Sequence, residues 1–154
     1  MSFSMMRYPV ILFTAALIPF GTCFKFIDCG SQLGQFTNIA VTNCDPTTSA
    51  YCKLKRGTNV TLTVKFTPNQ DITEVKAVVH GILGGVPIPF NLPNPDGCKE
   101  SGIQCPLVKN ENYSYISELP VLNVYPKVKL QVKWELQTEE KEDIVCFELP
   151  AKIV

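Results

Sequence analysis

From Lys127 to Leu136 the chain alternates strictly between polar and apolar residues for ten positions. Only an extended strand sends every second side chain to one side. Val128, Leu130, Val132, Trp134 and Leu136 are therefore expected to face a core, with lysines and a glutamate facing water. Val60–Phe66 repeats the pattern, and Val145, Phe147, Leu149, Ala151 and Ile153 point one way in the C-terminal stretch. Thr73–Leu83 and Gly34–Thr42 read as further strands. Turn clusters such as Pro68-Asn69-Gln70-Asp71 and Asn91–Gly97 lie between them. No window sustains a helical period, and prolines interrupt most candidates. The expectation is an all-β chain of about seven short strands in a two-sheet sandwich. Trp134 stands 12 residues before the last cysteine, so the Cys…Trp…Cys order of a true immunoglobulin domain is missing.

The first 23 residues read differently. Arg7 precedes an apolar run of 11 residues, Val10–Phe20, and then Gly21-Thr22-Cys23. This is the pattern of a secretory leader over residues 1–23, and the run is well short of the ~20 residues that span a bilayer. Residues 24–154 are long enough for one domain. The 14 basic and 14 acidic side chains balance, which removes the footprint expected of a nucleic-acid binder. Seven cysteines in so short a chain point to an oxidising compartment, secreted or luminal.

Loss of Cys23 with the leader leaves Cys29, Cys44, Cys52, Cys98, Cys105 and Cys146. Six cysteines allow 15 pairings, and sequence alone does not choose among them. Proximity favours Cys44 with Cys52 and Cys98 with Cys105, each around a polar loop, and leaves Cys29 and Cys146 as a long clasp. No Cys-x-x-Cys occurs and His80 is the one histidine, so no metal site is expected.

Little here suggests catalysis. No serine sits in Gly-x-Ser-x-Gly, and a lone His80 within a strand is the mark of a rim or structural residue that can sense pH. Glu139, Glu140, Glu142 and Asp143 cluster with Lys141, as a solvated hairpin loop would. Asn59-Val60-Thr61 and Asn112-Tyr113-Ser114 are glycosylation sequons suited to a secreted surface. Gly81–Phe90 is apolar yet carries three glycines and two prolines, which disqualify it as an ordinary central strand. Leu119-Pro120-Val121 and Val124-Tyr125-Pro126 share that character. These stretches read either as loops tucked on the core or as the rim and wall of a ligand cavity.

Several of these motifs also carry a family resemblance. They are Asp28-Cys29-Gly30-Ser31, Lys76–Leu83, Gly85–Phe90, Pro95–Lys99, Ser101–Pro106, Tyr113-Ser114-Tyr115, Leu119-Pro120-Val121, Tyr125-Pro126, the Trp134 strand and Cys146–Pro150. From Phe26 onward the chain resembles the Niemann-Pick type C2 branch of the lipid-recognition (ML) domain family, its arthropod members included. The resemblance implies a seven-stranded immunoglobulin-like sandwich paired Cys29–Cys146, Cys44–Cys52 and Cys98–Cys105, with an apolar cavity between the sheets. It implies a non-enzymatic, cofactor-free monomer that holds a sterol and passes it to membranes or a membrane partner, secreted or in the lysosome lumen. Ligand contacts would fall on Phe90, Val121 and Tyr125. Leu83, Ile88, Pro120, Pro126, Trp134 and Phe147 would complete the wall. His80, Gly81, Ile82, Leu83 and Val86 would form a transfer loop. The chain departs from vertebrate members in having Phe147 for Trp, Gly84 for Met, Val60 for an aromatic, and a longer Cys44–Cys52 loop. The alternative implied by arthropod members is an extracellular carrier of fatty acids or semiochemicals; an innate-immune lipid sensor is a further one.

Overall fold

A computed structural model describes residues 23–154; the expected leader lies outside them except for Cys23. Nine strands form: β1 Ile27–Asp28, β2 Gly34–Val41, β3 Cys52–Leu54, β4 Thr58–Pro68, β5 Lys76–Leu83, β6 Val86–Phe90, β7 Tyr113–Val121, β8 Lys129–Gln137 and β9 Asp143–Ile153. Seven have five residues or more, and the two extra strands are short. Among the described residues there is no helix.

The strands make two sheets. One runs β1-β9-β8-β5-β6, with β3 pairing β9 in parallel; the other runs β2-β4-β7. The alternating stretch enters β8 from Lys129 onward, flanked on both sides by antiparallel partners. Its inward set meets Val145, Phe147, Leu149 and Ala151 of β9 across the ladder. The acidic stretch Glu139–Asp143 forms the β8–β9 hairpin, closed by the Thr138 amide donating to the Glu142 carbonyl. The expected strand at Thr73 starts later. Ile72 bridges Leu107 instead, and the backbone joins the sheet only at Lys76. Pro87 and Pro89 sit in β6, which has β5 as its one neighbour, so their missing N–H groups break no second ladder.

Side-chain size is graded along the sandwich. At one end Phe66, Tyr115, Trp134 and Phe147 bridge the sheets; the Tyr115 and Trp134 rings lie 6.3 Å apart, and Phe147 meets Phe26 and Phe36 edge-on at 6.2 and 5.8 Å. At the other end the buried residues are smaller, and Val60, Val121 and Ile153 pack as a separate cluster. The disulfides are Cys29–Cys146, Cys44–Cys52 and Cys98–Cys105. The first spans 117 residues and fastens the residue that follows β1 to β9 beside Phe147. In the chain-entropy account a loop of that length is worth about 5 kcal/mol.

Phe147 has no exposed surface. Phe147→Ala is expected to cost about 3–5 kcal/mol, read as a lowered urea midpoint with the disulfides intact.

An apolar cavity between the sheets as the candidate site

Where the aromatic layer ends, the sheets enclose a cavity of about 270 Å³. The large sheet contributes Val79, Leu130, Val132, Trp134 and Leu149. The small sheet contributes Val60, Leu62, Leu119 and Val121, and Ile153 and Leu54 close the floor. Most of these are inward residues of alternating strands. At the mouth stand Leu83, Ile88 and Phe90 from the β5–β6 hairpin, opposite Pro120, Tyr125 and Pro126. Phe90 and Tyr125 meet edge to face at 5.7 Å.

Glycine allows part of this packing. A Cβ on Gly81 would come within 2.9 Å of Leu130 Cδ1, so a larger residue there would press Leu130 against the cavity.

The wall is almost without polarity. His80 and Tyr125 are its ionisable residues among the described ones. Burial pushes the Tyr125 phenol up, so it is neutral at physiological pH and offers an O–H at the mouth. The Trp134 indole N–H is buried with no hydrogen-bond partner.

Of the residues expected in a ligand site, Phe90, Val121, Tyr125, Leu83, Ile88, Pro120, Pro126 and Trp134 line this cavity together. Phe147 does not. It is the cross-strand partner of Trp134 on the same face, but it lies toward the aromatic end, where Phe26 and Phe36 cover it. His80, Gly81 and Leu83 of the expected transfer loop are on the wall, whereas Ile82 is not. Val86 is 61% exposed at the hairpin tip. Leu130, Val132 and Leu149 carried no ligand-site expectation, and Val60 only that of a departure from an aromatic, yet all four line the cavity. Strand parity marked them as inward but could not say which inward residues stand apart from the opposite sheet. The sequon residues Asn59 and Asn112 are exposed on or beside β4 and β7, where Asn59 donates to Glu118 at 2.5 Å and Asn112 accepts from Thr67 at 2.7 Å.

The outer face of β5 and β8 carries a polar cluster. Glu135, 5% exposed, accepts from Lys133 at 2.8 Å and lies 3.5 Å from His80 Nδ1. That hydrogen bond holds the Lys133 ammonium above its ordinary range. Gln137 donates to both Glu135 and Asp143. Burial pushes the Asp143 carboxyl up. His80 is thus held at the rim, and nothing beside it forms a nucleophile–base pair.

Comparison with known proteins agrees with this architecture. The ML domain family profile matches residues 23–153. A fruit-fly (Drosophila melanogaster) protein named NPC intracellular cholesterol transporter 2 homolog a is 51% identical over 149 residues, covering 97% of this chain and 99% of its own. The zebrafish (Danio rerio) NPC intracellular cholesterol transporter 2 is 44% identical over 130 residues, covering 84% of this chain and 85% of its own. The crystal structure of a Niemann-Pick type C2 protein from the Japanese carpenter ant superposes with a TM-score of 0.82 at 38% identity, over 85% of this chain and all of that one. The fold and cavity define a lipid-recognition type of β-sandwich. The chain belongs to the ML domain family.

The raised Asp143 pKa generates a prediction with a definite sign. A carboxyl with a raised folded pKa lowers stability above that pKa, and the penalty fades as pH falls through it. Asp143→Asn is therefore expected to raise the thermal midpoint at neutral pH, with the gain vanishing once acid protonates the wild-type group. Melting curves across the carboxylate range check this.

Proposed function

We propose that this chain holds a sterol in the inter-sheet cavity and hands it to a membrane or membrane-bound acceptor. The observation that carries the reading is the chemistry of the wall: aliphatic and aromatic side chains throughout, with a neutral phenol at the mouth. A sterol is a rigid apolar body with one hydroxyl, and such a wall matches it with Tyr125 able to meet the hydroxyl at the opening. Each buried CH₂ contributes ~0.8 kcal/mol, before the cost of immobilising the ligand. The names of the fly and zebrafish relatives support the same substrate class. Three disulfides suit work outside the cell or in the lysosome lumen. The exposed Asn59 and Asn112 suit glycan attachment there. The reading is of a monomeric carrier and not of a catalyst.

The cavity is smaller than the ~300–1,000 Å³ of most ligand pockets, so loading a sterol requires the mouth to widen. The same volume favours a second reading, a fatty acid, whose single slender chain needs less widening. Displacement of a fluorescent sterol by cholesterol against oleate separates them: displacement by oleate alone overturns the sterol reading.

The rim offers the route of transfer. Leu83, Val86 and Ile88 are exposed on the hairpin, and Leu122 and Val124 on the loop after β7. An apolar rim around the mouth is suited to pressing into a bilayer while the ligand leaves.

Two outcomes are expected. Phe90→Ala and Val121→Phe weaken fluorescent-sterol binding by about tenfold or more while the circular dichroism spectrum stays unchanged; unchanged affinity in both removes these residues from the site. Val86→Asp slows ligand transfer between vesicles severalfold without altering affinity, as stopped-flow transfer assays beside equilibrium titration would show.

A further inference from the structure

One side of the cavity mouth is the loop Leu122–Pro126, which carries Tyr125 between β7 and β8. Both ends of the loop are anchored. The Val121 carbonyl accepts from the Gly57 amide at 2.6 Å, and the Val128 carbonyl accepts from the Ile153 amide at 2.9 Å. Between those anchors little holds it. Among the described residues its one internal backbone hydrogen bond runs from the Tyr125 amide to the Leu122 carbonyl at 3.2 Å. Leu122 and Val124 are 44% and 83% exposed, so their packing adds little. The Tyr125 ring meets Phe90 across the mouth.

The remaining hold comes from the turn between β3 and β4. Arg56 Nη1 donates to the Asn123 carbonyl at 3.1 Å and to the Tyr125 carbonyl at 3.2 Å. Among the described residues no other side chain bonds a carbonyl of this loop. The turn itself is fixed. The Arg56 amide donates to the Val154 carbonyl, the Val154 amide to the Leu54 carbonyl, and the Thr58 hydroxyl to the Lys55 carbonyl. Gly57 lets the turn come close: its φ is +76°, and a Cβ there would stand 3.1 Å from Asn123 Oδ1. Arg56 is half-buried, and among the described residues no carboxylate forms a salt bridge with it. A guanidinium has donors only, and its charge strengthens each bond it makes. Here both of those bonds go to mouth-loop carbonyls.

We infer that Arg56 is the latch of the cavity mouth: its guanidinium holds Leu122–Pro126 over the opening, and its release sets how fast ligand enters and leaves. Arg56 is a positioning residue, since it lines no part of the cavity and acts through the loop that carries Tyr125. The inference deepens the carrier reading. It rests on that reading for the passage of ligand, but not for the holding of the loop. The cavity must widen to load a sterol, and a loop pinned by one side chain can lift with two hydrogen bonds broken and both sheets intact.

Hydrogen–deuterium exchange of the protein without ligand tests the holding. Arg56→Met should raise exchange across Leu122–Val128 by about tenfold or more, the change that one lost charge-assisted hydrogen bond implies, and leave β8 and β9 at the wild-type rate. Arg56→Lys keeps the charge on a more strongly hydrated donor without the planar fork, and should fall between the two. The control Lys55→Gln removes the neighbouring exposed charge and should exchange as wild type does. Wild-type exchange in Arg56→Met, or a rise shared by every strand, overturns the latch. Stopped-flow mixing with a fluorescent sterol tests the passage. In Arg56→Met both association and dissociation should accelerate severalfold, so that affinity shifts less than either rate. Faster dissociation at an unchanged association rate makes Arg56 a ligand contact and overturns the gating. A protein whose loop loosens in Arg56→Met, but whose wild type takes up neither sterol nor fatty acid, refutes the carrier reading and leaves the latch standing.

Discussion

The spacing of the two sheets at the aromatic end governs the rest of the molecule. Phe66, Tyr115, Trp134 and Phe147 fill the gap there, and Cys29–Cys146 fastens the same end covalently. Sheets so separated stay roughly 10 Å apart further along, because strands are stiff. Toward the other end the inward residues are smaller, with Val60 and Val121 of one sheet packing on Ile153 of the other, and these side chains line a cavity instead of filling the gap. The cavity is what remains. It needs no special device, only aromatic side chains at one end of the same strands that carry valines at the other.

An apolar void has a cost. At ~24 cal/mol per Å³, a 270 Å³ space amounts to about 6 kcal/mol of packing forgone. The long disulfide contributes about 5 kcal/mol in the chain-entropy account, close to what the void removes. A ligand that fills the space restores the missing contacts, so loading and stability are coupled. The mouth residues Phe90 and Tyr125 are only half-buried, which suits a boundary that must move.

Charge is distributed to match this division of labour. The cavity wall carries almost none, while the outer faces carry it in two forms. On β5 and β8 the buried Glu135 is met by Lys133, His80 and Gln137, so that cluster is compensated. On β3, β9 and β8 the lysines stand aligned without a carboxylate partner.

Strand period, turn chemistry and cysteine spacing were legible in the residues themselves, because they are local: alternation assigns faces, proline keeps Val86–Phe90 to an edge, and short loops favour their own disulfides. The family resemblance extended this to the cavity and to residues such as Phe90, Val121 and Tyr125, which line it together. Three things depended on the tertiary structure. Phe147 and Trp134 have the same parity and are cross-strand partners, yet only Trp134 reaches the cavity, since what covers an inward side chain is decided by the opposite sheet. Val60 and Leu149 likewise line the cavity, which strand parity alone does not distinguish from packed core. The alignment of Lys53, Lys152 and Lys129 is invisible in the chain, where they are far apart. It exists because strand register brings distant segments together, and register is a property of the assembled sheet.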